Sequence, residues 1–187
     1  MLKDKLLKKF SNEELRLKFS AINDEEKMRD CIEKCLKLYP IKGKKIAVET
    51  GTYHGLSTAL LADYFDEVHT FDIPKEKGGY YISSEIKYQI WNYLGIQEKI
   101  HFHLIKDDKE KEEILKTIKY DFAFIDGNHA VGCKIDFKLL NSCGRILFHD
   151  YEPDKRYGFY LVIYNFINSL DNIVYKNPPF ALWIKKK

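Results

Sequence analysis

The sequence predicts an α/β fold: a parallel sheet with helices on both faces and an antiparallel hairpin at its C-terminal edge. Three observations lead there. From residue 44 onward, short apolar runs alternate with helix-like stretches, giving five strand-then-helix units. Each unit supplies the crossover that parallel neighbours require. The last two strand-like runs, 172–175 and 180–184, are separated by only a short turn at Pro178–Pro179, so they must pair antiparallel. A length of 187 residues suffices for one layered core without disulfide staples.

The elements follow in order. Residues 1–40 read as helical: Leu6, Leu7, Phe10, Leu15, Leu17 and Phe19 form a loose apolar set. Across 20–40, Met28, Cys31, Ile32, Cys35, Leu36 and Tyr39 recur at helical spacing until Pro40 stops the helix. This extension is expected to be a packing arm or a lid on the domain formed by 41–187. Strand 45–50 (KIAVET) leads to helix 55–64 (GLSTALLADY), and strand 67–72 (EVHTFD) to helix 83–94. Strand 100–105 (IHFHLI) precedes a charged helix at 109–118, and strand 121–126 (DFAFID) a short one at 134–140. Strand 144–150 (GRILFHD) precedes an aromatic-rich helix at 157–170.

Composition narrows the function. Lys plus Arg (31) nearly balances Asp plus Glu (28), and only four of the basic residues are Arg, which argues against a nucleic-acid partner. A mean hydropathy of −0.40 and no long apolar run argue against a membrane span. The N-terminal stretch mixes charge with apolar residues and has no signal-peptide core, so a cytoplasmic location is expected. The four cysteines form no CxxC pair and show no Cys/His ligand spacing, so no structural zinc is expected. Cys31 and Cys35, one helical turn apart, read as small buried hydrophobes.

The first strand-turn-helix carries the chemistry. In open α/β sheets ligands bind beyond the carboxyl ends of strands, where the strand order switches. Glu49-Thr50-Gly51-Thr52-Tyr53-His54-Gly55-Leu56-Ser57-Thr58 occupies that place. Gly51 permits a tight turn and close ligand approach, and Gly55 permits close packing at the helix start. Asp72 ends the next strand about twenty residues later, where a carboxylate can accept both hydroxyls of a ribose. A dinucleotide site would want a central glycine, but Thr52 and Tyr53 fill the middle of this turn. Glu49 would repel a pyrophosphate, yet could accept hydrogen bonds from an amino acid's α-ammonium. These features favour S-adenosylmethionine over a nicotinamide dinucleotide.

ETGTYHGLST, FD, FIDGNHA and CGRILFHDY resemble the class I S-adenosylmethionine-dependent methyltransferases, most of all the branch of macrolide-sugar O-methyltransferases and related small-molecule enzymes. The likeness spans roughly residues 44–187. It implies a Rossmann-like, doubly wound sheet of seven strands with an antiparallel final strand. It also implies cofactor contacts from Glu49, Gly51, Thr52 and Gly55, with Tyr53 and Ser57 in the same turn, and ribose contact by Asp72. By analogy Asp107 or Asp108 would lie near the adenine, and Asp108 is the choice carried forward.

Asp126 and Asp150 close the fourth and fifth strands, so both carboxylates should face one rim. Two oxygen ligands there would suit Mg²⁺ or a similar hard ion, which could acidify a hydroxyl acceptor. His129 could then take the proton as general base. In the resembled enzymes an acidic metal ligand stands where this chain has His149, which completes the expected set of Asp126, His149 and Asp150. An Asp typical of their first loop is replaced by Asn128. Simpler roles remain open: Asp126 as a contact to the cofactor's ammonium or a turn cap, and His129 as a helix-entry residue. His101 and His103 suit a sheet-face role, His54 a loop role, and Tyr157, Phe159, Tyr160, Tyr164 and Phe166 a core role. The sequence thus predicts methylation of a small hydroxylated acceptor, such as a sugar or glycan precursor. The alternatives are a non-catalytic S-adenosylmethionine-binding module and an NAD(P)-dependent oxidoreductase. Acceptor recognition would fall to the N-terminal helices, the 73–82 and 151–158 loops, or a second subunit of a homo-oligomer.

Overall fold

The computed structural model describes residues 1–15, 21–74, 84–127, 131–155 and 157–185. Seven strands form one sheet: β1 (Ile46–Thr50), β2 (Glu67–Asp72), β3 (Ile100–Leu104), β4 (Phe122–Ile125), β5 (Arg145–Phe148), β6 (Ile173–Asn177) and β7 (Phe180–Ile184). Their order is β3-β2-β1-β4-β5-β7-β6. The first five are parallel, while β7 runs antiparallel to both β5 and β6. This is the Rossmann-like, doubly wound sheet with an antiparallel C-terminal hairpin that the sequence predicts. The hairpin folds inward, placing β7 beside β5 and leaving β6 at the edge.

Side chains alternate across the sheet with the two-residue strand period, and the two faces form two separate cores. On one face Ala47, Val68, Phe122, Phe124, Leu147, Phe180 and Leu182 meet α3 (Glu25–Leu38), α4 (Leu56–Leu61) and α5 (Ser84–Leu94). On the other, Val48, Phe71, Ile125, Ile146, Phe148 and Trp183 meet α6 (Asp108–Leu115), α7 (Val131–Leu140) and α8 (Gly158–Ser169). The chain start belongs to the first core. Leu2 and Leu6 of α1 (Leu2–Leu6), Phe10, and Leu15 of α2 (Asn12–Leu15) are buried beside Met28, Cys31, Ile32 and Cys35 of α3.

Several boundaries differ from the periodicity. The helix expected over 20–40 begins as a 3-10 turn at Ala21–Asp24 and stops at Leu38, with Tyr39 already out of helical geometry ahead of Pro40. The fifth strand ends at Phe148, not at Asp150, because Asp150 turns the chain at a φ of 58°. The aromatic set of α8 is only partly core. Phe166 packs in the second core and Tyr164 stacks on Tyr151, whereas Tyr157 is 64% exposed and Phe159 38%.

The chain runs from β1 outward to β2 and β3, then crosses back to β4 on the other side of β1. The carboxyl ends of β1 and β4 therefore flank the switch point, where a ligand crevice is expected.

Candidate active site

At the end of β1 the chain turns through Gly51, whose φ is 89°. A Cβ there would lie 2.4 Å from the Asp126 carbonyl oxygen, so only glycine lets this turn pack against the end of β4. The glycine read as room for a ligand is thus also needed for strand-to-strand contact. Gly55, with a φ of 69°, has the Trp91 indole across it, and Trp91 Nε1 donates to the Gly55 carbonyl at 2.9 Å.

Glu49 is fully buried in the sheet below this turn. Thr58 and Thr70 both donate their hydroxyl protons to Glu49 Oε2, the second at 2.7 Å. Thr70 has one proton and gives it to Glu49, so Thr52, 2.7 Å from Thr70 Oγ1, must be the donor in that pair. The chain Thr52 to Thr70 to Glu49 fixes one carboxylate oxygen. Oε1 has no partner of hydrogen-bond geometry among the described residues, although the Ser57 hydroxyl lies near enough to favour the charged form. Burial dominates and pushes the Glu49 pKa up to about 7, with the Asp126 charge acting in the same direction.

Asp72, at the end of β2, leans over the same turn. Its Oδ2 accepts the Tyr53 N–H at 3.0 Å and its Oδ1 accepts the Ile73 N–H at 2.9 Å. Tyr53 holds a φ of 46°, and its ring stacks on the buried His54 at 4.2 Å. Burial raises the Asp72 pKa, opposed by those two N–H groups and by the positive charge of Lys87. A residue without a sequence motif joins it: Lys87, a buried lysine on α5. Burial pushes its pKa down to about 8 against the attraction of Asp72, and its Nζ lies 3.7 Å from the Phe102 ring centroid. It sits in an ordinary amphipathic helix pattern, which gives no local signal.

The adenine-side candidates lie where β3 passes into α6. Asp107 is the N-cap of α6, accepting the Glu110 N–H at 2.9 Å. Asp108 is half exposed and paired with Lys111 at 2.8 Å. Lys111 also forms a buried ion pair with Asp136 of α7, a link between the two helices that the sequence does not advertise.

On the far side of the switch point, β4 and β5 are parallel neighbours, and the His149 N–H extends their pairing to Ile125 at 3.1 Å. This brings Asp126, His149 and Asp150 together, with one potential ligand atom from each within 4.8 Å of the others. His149 Nδ1 is 2.7 Å from Asp126 Oδ1 and 3.4 Å from Asp150 Oδ1. Asp150 reaches this place through its left-handed backbone, a conformation that aspartate tolerates better than most residues. Burial alone would lower the His149 pKa, but the charges of Asp126 and Asp150 and the bond to Asp126 outweigh it and hold the ring at about 9. The imidazole therefore carries a proton between two carboxylates at neutral pH. With an imidazole nitrogen between two carboxylates, this set is a poorer match to Mg²⁺, which favours an octahedron of oxygens, than an all-oxygen set would be. His129, the expected general base, and Asn128 lie outside the described residues.

A family model described as a methyltransferase domain matches residues 48–151, which spans both halves of this rim. No curated protein matches the chain. Among solved structures, a candidate O-methyltransferase from Klebsiella pneumoniae superposes with a TM-score of 0.61 at 13% identity, over 99% of this chain and 90% of that one. A candidate caffeoyl-CoA O-methyltransferase from Staphylococcus aureus gives 0.52 at 19% identity, over 80% and 70%. A candidate methyltransferase from Streptococcus mutans, solved with S-adenosylhomocysteine, gives 0.52 at 15% identity, over 81% and 94%. The chain spans only 44% of the length of another structure, MtNAS, at a TM-score of 0.46.

Proposed function

Since the chain belongs to the methyltransferase domain family, with the class I fold, we propose that it methylates a hydroxyl group of a small acceptor using S-adenosylmethionine. One observation carries the cofactor half: a buried carboxylate at the end of β1 with Oε1 unpartnered among the described residues. An α-ammonium placed against Glu49 Oε1 would satisfy that atom and stabilise its charge. Asp72, pinned over the turn by Tyr53 and Ile73, keeps lone pairs for ribose hydroxyls. Thr52, Tyr53, Gly51, Gly55 and Ser57 would form the rest of the cradle, and Asp108 the outer adenine side. When bound, S-adenosylmethionine supplies a methyl group on a positively charged sulfur that leaves as a neutral thioether.

The acceptor half is the β4–β5 rim. Asp150 accepts the acceptor's hydroxyl hydrogen bond and aims its oxygen, while His149 holds Asp126 and Asp150 in register. His129, three residues beyond Asp126, keeps its assignment as the base that takes the hydroxyl proton. As the oxygen–carbon bond forms and the carbon–sulfur bond breaks, alignment by the rim supplies much of the rate. The exposed rings of Tyr157 and Phe159, with Tyr160 close enough to feel the Asp150 charge, offer an apolar wall for the acceptor. A sugar or glycan precursor, as in the macrolide-sugar branch, fits two carboxylates beside aromatic faces. Mg²⁺ has no part in this reading.

Calorimetry should show S-adenosylmethionine and S-adenosylhomocysteine binding to the purified chain, and NAD not binding. The reverse pattern would remove the reading. Incubation with methyl-labelled cofactor and a panel of hydroxylated acceptors then separates an enzyme from a binding module.

A further inference from the structure

A second cluster of ligand-type side chains lies away from that rim. Glu67 and His69 project from one face of β2, and His101 and His103 from the same face of the edge strand β3. The register sets His69 directly opposite His101, and Phe71 opposite His103. Glu67 pairs with Ile46 at the start of β1, so the cluster sits toward the amino ends of the strands. Five residues of strand, about 17 Å, separate Glu67 from Asp72 at the cofactor rim.

The contacts converge on one oxygen. Glu67 Oε1 is 2.8 Å from His69 Nε2 and 3.1 Å from His101 Nε2, and the three atoms lie within 4.8 Å of one another. The other carboxylate oxygen, Oε2, is held by Lys44. His69 Nδ1 in turn lies 3.0 Å from His103 Nε2. The rings stack in a row, His69 on His101 at 4.6 Å and Phe71 on His103 at 4.6 Å. His101 is 47% exposed on its side chain, so the open side of the cluster faces solvent.

We propose that Glu67, His69 and His101 bind one divalent transition-metal ion of the zinc class, with His103 orienting His69. Two imidazole nitrogens and one carboxylate oxygen are the donors that borderline ions such as Zn²⁺ take, with solvent completing the coordination. Bonds of about 2.0–2.1 Å in a tetrahedron set ligand atoms roughly 3.3 Å apart. The observed 2.8 and 3.1 Å spacings need open by only a few tenths of an ångström. His103 supplies what a metal-bound histidine normally has, a partner for its other ring nitrogen. With Nδ1–H given to His103, the Nε2 lone pair of His69 is directed at the ion. The site would clamp the edge strand β3 onto β2, far from methyl transfer. Linear spacing shows only its halves, Glu67-Val68-His69 and His101-Phe102-His103, which cross-strand register brings together.

The test uses the full, untagged chain, stripped with a chelator and titrated with Co²⁺ as a spectroscopic probe and with Zn²⁺ against a chromophoric chelator. One equivalent is expected, with ligand-field bands of nitrogen and oxygen coordination and no thiolate charge-transfer band. His101→Ala, at an exposed position, should weaken binding by more than the roughly 10- to 100-fold that loss of an outer partner costs. His103→Ala should fall within that range. Lys44→Ala, which frees Glu67 Oε2, should tighten binding, and His149→Ala should leave it unchanged. A thiolate band, an equivalent that survives in His101→Ala, or one lost in His149→Ala would overturn the proposal. So would the absence of any equivalent in the folded wild-type chain.

Discussion

Glu49 shows how much one buried side chain can determine. Its pKa of about 7 means that near neutral pH roughly half of the free chains hold it protonated. A cation placed against Oε1 favours the charged form, so cofactor binding must lower that pKa and expel a proton. About half a proton should therefore be released per cofactor bound at pH 7, and almost none at pH 9. Calorimetric enthalpies measured at pH 7 in buffers of different ionisation heat should diverge accordingly. Glu49→Gln should abolish the divergence and weaken cofactor binding by about 10- to 100-fold, roughly 1.4–2.7 kcal/mol, the scale of a charge-assisted hydrogen bond. Identical enthalpies in all buffers would mean that Glu49 does not meet the ammonium. That an acid ends the first strand is readable from ETGTYHG, but its hydroxyl shell is not. Thr70 joins it only through the β1–β2 register, and Lys87 approaches Asp72 from a helix whose pattern looks ordinary.

Among the elements, α1 depends most visibly on contacts outside itself. Five residues make no stable helix alone, so tertiary contacts must hold it. Buried Glu25, on α3, accepts the N–H groups of Leu2 at 2.8 Å and Lys3 at 2.9 Å and pairs with Arg29 at 2.7 Å. Burial opposes the Glu25 charge, yet those donors outweigh it and hold the pKa below its ordinary 4.5. The resulting stability is present above pH 4.5 and is lost as pH falls through the lowered value. Glu25→Ala should cost about 3 kcal/mol, toward the lower end for a broken buried pair because Arg29 keeps Asp63 at 2.7 Å. For a chain this size that is a fall in Tm of about 6–12 °C, with cofactor affinity untouched. Acid should narrow the gap between Glu25→Ala and the wild type, and a constant gap down to pH 3 would contradict the assignment. The sequence shows the apolar helical stripes of 1–40, but not this tether. A glutamate in the first turn of a helix reads as an exposed dipole partner until the helix that covers it is placed.

At the scale of the whole molecule, the switch in strand order divides the rim into two halves that different crossovers build. β1 and β2 carry Glu49, the Gly51 turn and Asp72, while β4 and β5 carry Asp126, His149 and Asp150. The alternation of strands and helices made this division legible, since parallel units and a closing hairpin leave few topologies. The gathering of His149 with both carboxylates depended further on Asp150 leaving the strand with positive φ, which no propensity signals. The halves touch through Asp126, whose carbonyl backs Gly51 and whose charge reaches Glu49, so its replacement would disturb both functions. Asp150 lies on the β4–β5 side of that junction, the side proposed for the acceptor, and offers the cleaner test. Asn keeps its shape and tolerates the left-handed backbone, whereas Ala would add strain to the loss of the carboxylate. Asp150→Asn should therefore leave the S-adenosylhomocysteine dissociation constant unchanged within about twofold, the limit expected if the halves act independently. Turnover on a responsive acceptor should drop about 10²-fold, the order that misaligning a reacting oxygen costs. Full turnover in this variant would remove Asp150 from the acceptor site, and lost cofactor binding would show that the two halves are one.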